Sequence, residues 1–326
     1  MKTKLGLTVA LLLAQSLQVV FASPTLDAEV ARLAAPAGGT VGVAAWKLDG
    51  KGDRVLLNAD QAFPMASTFK VAVAGAILAK VDAGKLRLDQ LVPVDAADIV
   101  PSDGIADLMI HPGGSLSVHN LLELMLTLSD NTATDVLTRL AGGPQAATAW
   151  VTQQGIKGQR IDRDTGGLIR DFFGLPAGPV KAGWEAKAKI DPKLEERSSQ
   201  PNAAFDKDPR DTSTPKAMAE LLTNIFKRQA LSASSTQVLI DIMQRCHTGV
   251  GRLPGRMPAG TVIAHKTGTI GGTVNDVGVI TLPADQGQVV IAVFVKESDK
   301  PTEARERAIA EIARTVRDYY LFTPAK

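Results

Sequence analysis

Three short stretches of this chain carry residue types that could do chemistry together. In FPMASTFK (63–70), Ser67 and Lys70 stand one turn apart at the start of an apolar helical run, so they share a face. A serine hydroxyl is a weak nucleophile at neutral pH and needs a base within hydrogen-bond reach. A lysine becomes that base when burial and a second positive charge lower its pKa. Alone, the pair proves little, because serine is a common helix N-cap and this spacing arises about once in a chain of such length by composition. The second stretch is Ser129-Asp130-Asn131, closing the helical run NLLELMLTL (120–128). The third is Lys266-Thr267-Gly268, on the strand-like run TVIAHKTGT (261–269). Each has a bland reading, as a helix-end turn or a strand running into a turn. All three in this order, each on a suitable element, point to nucleophilic catalysis by an activated serine.

The elements that must hold these residues can be traced from periodicity. Helical spacing covers 26–35, then strand-like runs at 40–49 and 54–60 flank a turn at Gly50-Lys51-Gly52. From Ser67 to about Gly155 the pattern is helical, with runs at 120–128, 132–141 and 145–154. Residues 163–211 look irregular, though 171–184 is apolar enough to pack and 185–197 has the character of a short charged helix. Helices follow at 215–227 and 235–246, strands at 261–269, 274–282 and 288–296, and a last helix at 303–320. Strands at both ends with helices between imply an α/β (α+β) fold. Its antiparallel sheet is built from both chain ends, flanked by helices, and carries an inserted all-helical domain. The expected division is 23–62 with 212–326 as the α/β part and 63–211 as the helical part. A cleft between the two is the default place for a site.

Composition narrows the function classes. Residues 1–22 have a basic start, an apolar run from Leu5 to Leu13 and small residues at Val20 and Ala22, the pattern of a signal peptide cleaved before Ser23. The mature chain is then expected to be exported, periplasmic or secreted. A net charge of +2 with interspersed signs gives no footing for a nucleic-acid partner. His111, His119, His247 and His265 lack metal-ligand spacing, so no metal and no cofactor is expected. The single cysteine, Cys246, excludes an intramolecular disulfide and reads as a structural residue following IDIMQR.

With the three motifs in order, the sequence resembles the penicillin-recognising active-site-serine hydrolases and, within them, the class A β-lactamases. The resemblance covers nearly all of the chain after residue 22. It extends to Arg163 and Arg210-Asp211-Thr212, which resemble the two ends of that family's Ω-loop, to Arg252 fourteen residues before Lys266, to Thr269, and to Asn275-Asp276. It implies the β-lactamase/DD-peptidase fold and a hydrolase that opens cyclic amides through an acyl-enzyme on Ser67, with Lys70 as its base. By the same resemblance Ser129 relays a proton to the leaving nitrogen, and Asn131 holds the substrate's side-chain amide. The N–H groups of Ser67 and Thr269 form an oxyanion hole. Lys266, Thr267, Gly268, Thr269 and Arg252 bind the substrate, chiefly its carboxylate. Arg163 and Asp211 are expected to pair at the neck of the loop, partly desolvated and worth more than a surface bridge.

The chain departs from the family in one place. The class A glutamate that activates the deacylating water stands two residues after the Ω-loop arginine, where this sequence has Thr165, and Ile169 replaces the asparagine that holds the same water. Neither is a general base at neutral pH. The loop is also long, with Arg163 and Asp211 48 positions apart. Surrogate carboxylates are Asp164, adjacent to the vacated position, and Glu185, with Asp171, Glu195 and Glu196 behind them. Three functions follow: a β-lactamase, slow in deacylation or using another group for it; a D-alanyl-D-alanine peptidase acting on cell-wall peptide; and a binder that stays acylated. The first is the reading adopted, for a monomer with a small-molecule β-lactam as its partner.

Overall fold

The structure, a computed structural model, describes residues 25–109 and 113–323. The chain enters with helix α1 (Leu26–Ala34), where the Thr25 hydroxyl accepts from the Ala28 N–H, then strands β1 (Thr40–Lys47), β2 (Val55–Leu57) and β3 (Phe63–Pro64). A single 3-10 turn, Ala66–Phe69, leads into α2 (Lys70–Asp82). Strand β4 (Leu91–Val94), α3 (Ile105–Leu108) and β5 (Gly114–Ser117) precede α4 (Val118–Thr127), α5 (Asn131–Ala141) and α6 (Pro144–Gln153). Next come α7 (Thr165–Phe173), α8 (Val180–Ile190), α9 (Leu194–Arg197) and α10 (Ala203–Asp206). The chain finishes with β6 (Thr212–Ser213), α11 (Pro215–Phe226), α12 (Ala233–Gln244), β7 (Ile263–Ile270), β8 (Thr273–Thr281), β9 (Gln288–Lys296) and α13 (Thr302–Phe322).

The main sheet has the order β2-β1-β9-β8-β7, every neighbouring pair antiparallel, so the first long strand lies against the last. Alternation along β9 sorts its two faces. Val289, Ile291, Val293 and Val295 meet Val30 of α1 and Ile309, Ile312 and Val316 of α13. Val290, Ala292 and Phe294 join the larger core with Leu221 and Leu222 of α11. Covering both faces lets β9 read as one apolar run, QVVIAVFVK. The short β3–β6 ladder pairs Phe63 with Ser213 at the two ends of the inserted 63–211 segment. Within that segment α2 is buried without a break from Lys70 to Leu78, as an axial helix must be, and packs against α5, α6 and α12.

Two expectations need correction. Residues 163–211, read as irregular, hold four helices. Asp164 caps α7 at the Gly167 N–H and the left-handed Gly174 ends it, while Phe172, Phe173, Trp184 and Phe205 interlock at 4.7–5.1 Å between rings. The segment thus packs in two small apolar clusters, one with Ala66 and Ile270 and one with Val100, in pieces too short and too broken by Gly and Pro for periodicity to register. The stretch 67–155, read as helical, also contains the β4–β5 ladder, whose LVPV strand is short and interrupted by proline. The signal-peptide stretch 1–22 and His111 lie outside the described residues.

Candidate active site

Ser67 sits partly exposed on the 3-10 turn ahead of α2, its carbonyl accepting the Lys70 backbone N–H. Ala66, just before it, has φ 45°, a left-handed conformation that costs a non-glycine residue about 1 kcal/mol. β7 passes directly against this turn. A Cβ on Gly268 would lie 2.5 Å from the Met65 carbonyl oxygen and 3.0 Å from the Ser67 nitrogen, so only glycine permits the approach. Asn275 on β8 secures the turn from below, its amide donating to the carbonyls of Pro64 (2.9 Å) and Met65 (3.1 Å).

Ser129 fills the gap between α4 and α5 in a second left-handed conformation, φ 60°. Its hydroxyl lies between two lysines, 3.2 Å from Lys70 Nζ and 2.9 Å from Lys266 Nζ. Lys70 Nζ also donates to the Ser129 carbonyl (2.6 Å) and Asn131 Oδ1 (2.9 Å), and Lys266 Nζ to the Thr267 carbonyl (2.9 Å). Both ammonium groups are fully buried. Burial, then the charge of Lys266, hold Lys70 well below the usual lysine range, against the pull of Asp130 and Asp135. Burial likewise lowers Lys266 to about 8, with Cys246 and Asp276 opposing the fall.

Asp130, which sequence reasoning left without a role, ties this corner together. Its carboxylate caps α5 at the Ala133 N–H (2.6 Å) and accepts from the Ile105 N–H (2.7 Å). Asn131 gives its amide N–H to the Pro101 carbonyl (2.8 Å), leaving its oxygen to Lys70.

Around β7, the Thr267 hydroxyl is 2.6 Å from that of Thr248, and Thr269 is exposed with its hydroxyl accepting from Arg252 Nη2 at 2.6 Å. Arg252 is 5 % exposed; its other donors reach the carbonyls of Gly268 and Asn275 and the Glu306 carboxylate (3.0 Å). Its contact with the site therefore runs through Thr269. Thr248 carried no sequence signal, since it lies in an irregular stretch after α12.

Arg163 and Asp211 meet at the loop neck, Nε to Oδ2 at 2.6 Å, and Asp211 also accepts the N–H groups of Asp162 (2.7 Å) and Arg163 (3.0 Å). Inside the neck, Asp135 of α5 accepts the N–H groups of Thr165 and Gly166, each at 2.7 Å. Burial and the charge of Asp164 push the Asp135 carboxyl up to about 7. Thr165 itself is buried at the first turn of α7. Asp164 caps α7 and lines a separate cavity with Asp135, Arg139 and Arg170; Glu185 is exposed on α8. Of the carboxylates between Arg163 and Asp211, Glu195 lines the cleft of about 600 Å³ that also includes Ser102, Ile169, Phe173, Trp184 and Thr269. Among the described residues no group of three His, Cys, Asp or Glu is placed to hold a metal ion.

Comparisons with known proteins agree with this geometry. The model of the "Beta-lactamase enzyme family" matches residues 25–320. The extended-spectrum β-lactamase PER-1 of Pseudomonas aeruginosa is 32 % identical over 92 % of this chain and 88 % of its own. The β-lactamase VEB-1 of the same organism is 31 % identical over 86 % and 85 %. Among solved structures, an ancestral class A β-lactamase superposes with a TM-score of 0.74 at 35 % identity, covering 90 % of this chain and 99 % of that one. A β-lactamase from Chitinophaga pinensis gives 0.73 at 30 % identity, covering 90 % and 98 %.

Proposed function

Because the chain belongs to the β-lactamase enzyme family and is a serine hydrolase of β-lactam rings, we propose that Ser67 is its nucleophile and that Lys70, Ser129 and Lys266 move and hold the protons. The observation that carries this reading is the Ser129 hydroxyl held between two buried lysines, one of which, Lys70, stands one turn after Ser67. Burial and the charge of Lys266, which favour the neutral amine, suit Lys70 to accept the Ser67 proton, directly or through a water. The alkoxide attacks the lactam carbonyl, and the oxyanion takes hydrogen bonds from the N–H groups of Ser67 and Thr269, a reading supported by the close passage of Gly268 against the Ser67 turn. The C–N bond then breaks while Ser129 donates its proton to the nitrogen and recovers one from Lys70. Lys266, with Thr267 and Thr269, binds the substrate carboxylate; Arg252 steadies Thr269. Asn131 takes the side-chain amide.

Hydrolysis of the acyl-enzyme lacks the usual glutamate, and this step is assigned to a water activated by Glu195, whose carboxylate lines the cleft, or by Lys70 returning as base. Deacylation is therefore the slow step. The enzyme is read as exported, monomeric and free of metal. Intact-protein mass after mixing with a penicillin tests the assignment. The parent gains one penicillin mass and loses it again, and Ser67→Ala gains none. A persistent adduct on Ser67→Ala refutes the choice of nucleophile.

A further inference from the structure

A group of buried polar side chains on and behind β7 ends on the residues assigned to the substrate carboxylate, and the chemistry above does not use it. Asp276 on β8, fully buried, accepts from His265 Nδ1 (2.9 and 3.0 Å) and from the Leu253 N–H (3.1 Å). Cys246, two residues beyond α12, is near enough to His265 for each to shift the other's titration. Cys246 Sγ lies 3.3 Å from Thr248 Oγ1, and Thr248 Oγ1 lies 2.6 Å from Thr267 Oγ1. Asp276 with His265, and Cys246 with Thr248 and Thr267, thus form two hydrogen-bonded sets joined by charge between His265 and Cys246.

We propose that Cys246 is a positioning residue for this reaction: as a thiolate paired with the His265 imidazolium, it orients Thr267 through Thr248 and keeps Lys266 charged for the substrate carboxylate. This rests on the reading of Lys266 and Thr267 as the carboxylate site.

The charges around the group support it. Burial would push the thiol up, but His265, Lys266 and the Thr248 hydroxyl pull it down to about 7. Burial would lower His265, yet Asp276 and Cys246 raise it to about 10, so the ring is cationic at neutral pH. Lys266 faces Cys246 and Asp276, which favour its ammonium form, and Arg252 and Lys70, which oppose it. Arg252 is partly balanced by Glu306 of α13, and Arg245, beside Cys246 in sequence, is turned away to Glu123 of α4. Removing the thiolate therefore leaves Lys266 with fewer negative neighbours, and its pKa falls. Below pH 7 the thiol is protonated in the parent too, so the loss disappears there.

The test is the pH profile of kcat/KM from pH 6 to 9 for the parent, Cys246→Ser, Cys246→Ala and Lys266→Ala, with thermal unfolding to confirm folding. Cys246→Ser keeps the hydrogen bond to Thr248 and loses the charge. Its alkaline limb should move down by about one pH unit, a roughly fivefold loss at pH 8 carried by KM, with parent-like activity at pH 6. Cys246→Ala should lose activity at pH 6 as well, because Thr248 is then released. Iodoacetamide should alkylate the parent thiol with a midpoint near pH 7, iodide leaving as the C–S bond forms, and the alkylated enzyme should show the same KM-borne loss at pH 8. A Cys246→Ser profile that superimposes on the parent, or lies below it equally at every pH, overturns the proposal. Were Lys266→Ala to retain the parent's kcat/KM, the carboxylate reading itself would fail; a crippled Lys266→Ala beside an unaltered Cys246→Ser overturns this inference alone.

Discussion

Replacing Asp211 tests whether the loop neck is held by a charge or by its hydrogen bonds. The Asp211 side chain is 2 % exposed and makes three contacts: Oδ1 with the N–H groups of Asp162 and Arg163, and Oδ2 with Arg163 Nε. Its backbone is left-handed, φ 54°. Asp211→Asn keeps an oxygen for the two N–H groups and tolerates that conformation, so it loses only the ionic contact. Breaking a buried pair from one side costs about 3–5 kcal/mol when the partner is stranded. Arg163 is not stranded, because its guanidinium still meets Asp171 (2.8 Å) and Asp208 (3.3 Å). The cost of Asp211→Asn should therefore drop to about 1–2 kcal/mol, that of one charged hydrogen bond. Asp211→Ala adds two unpaired N–H groups at about 1 kcal/mol each and about 1 kcal/mol for alanine in the left-handed region. Its total should be about 4 kcal/mol, roughly 2–3 more than for asparagine. Urea unfolding of the three proteins at neutral pH measures this. Equal costs for the two variants, or an alanine variant within 1 kcal/mol of the parent, would show that the neck is not held as argued.

Other perturbations follow from the same geometry. Asp135 titrates near 7 when folded, well above its unfolded value, so the folded state binds its proton more tightly and stability falls as pH rises toward and through 7. Asp135→Asn should therefore gain stability relative to the parent between pH 5 and pH 8; a difference that stays flat across that range refutes the shift. Gly268→Ala would drive a methyl into the Met65 carbonyl and force β7 away from Ser67, and about 10²-fold slower acylation is expected, measured as the burst rate with a chromogenic β-lactam. Thr165→Glu should raise the steady rate after the burst and leave the burst unchanged, by less than the ~10²–10⁴ of a well-placed base, since Asp135 and Asp164 stand close by. Glu195→Gln should lower that steady rate, and an unchanged rate would pass the water to Lys70.

The sequence disclosed the parts of this site that are local. Ser67 and Lys70 are one turn apart, and the three motifs each sit at the end or edge of an element whose period is plain. The sheet was legible for the same reason, since β9 reads as one apolar run and the helices on either side of it as stripes. The relations that close the site over long separations were not legible. Asp135 lies five residues beyond Asp130 on one helix, yet its partners are N–H groups 30 and 31 positions away, and backbone donors have no residue type to betray them. Cys246 and His265 were each read alone, as a structural thiol and as a histidine without metal spacing. Their contact exists because α12 ends where β7 begins its pass behind the cleft.

The long loop shows why a missing motif residue is weak evidence about a missing function. Three of its helices, α7, α8 and α10, meet through Phe172, Phe173, Trp184 and Phe205, and its stretch after α9 is pinned by Arg305, which donates to the carbonyls of Gly271 and Ser199, and by the Gly271 N–H on the Ser198 carbonyl (2.7 Å). Ser198 and Glu195, about thirty positions after Thr165, line one cavity with Thr269. Sequence spacing from Arg163 favours Asp164, whereas the fold favours the residue whose helix is tied to the cleft. Cutting that tie with Arg305→Met should slow deacylation more than acylation, because the bond to Ser199 holds the chain beside Glu195, whereas Lys70, Ser129 and Lys266 hold one another directly. An equal loss in both steps would mean that Arg305 acts through the sheet and not through the loop.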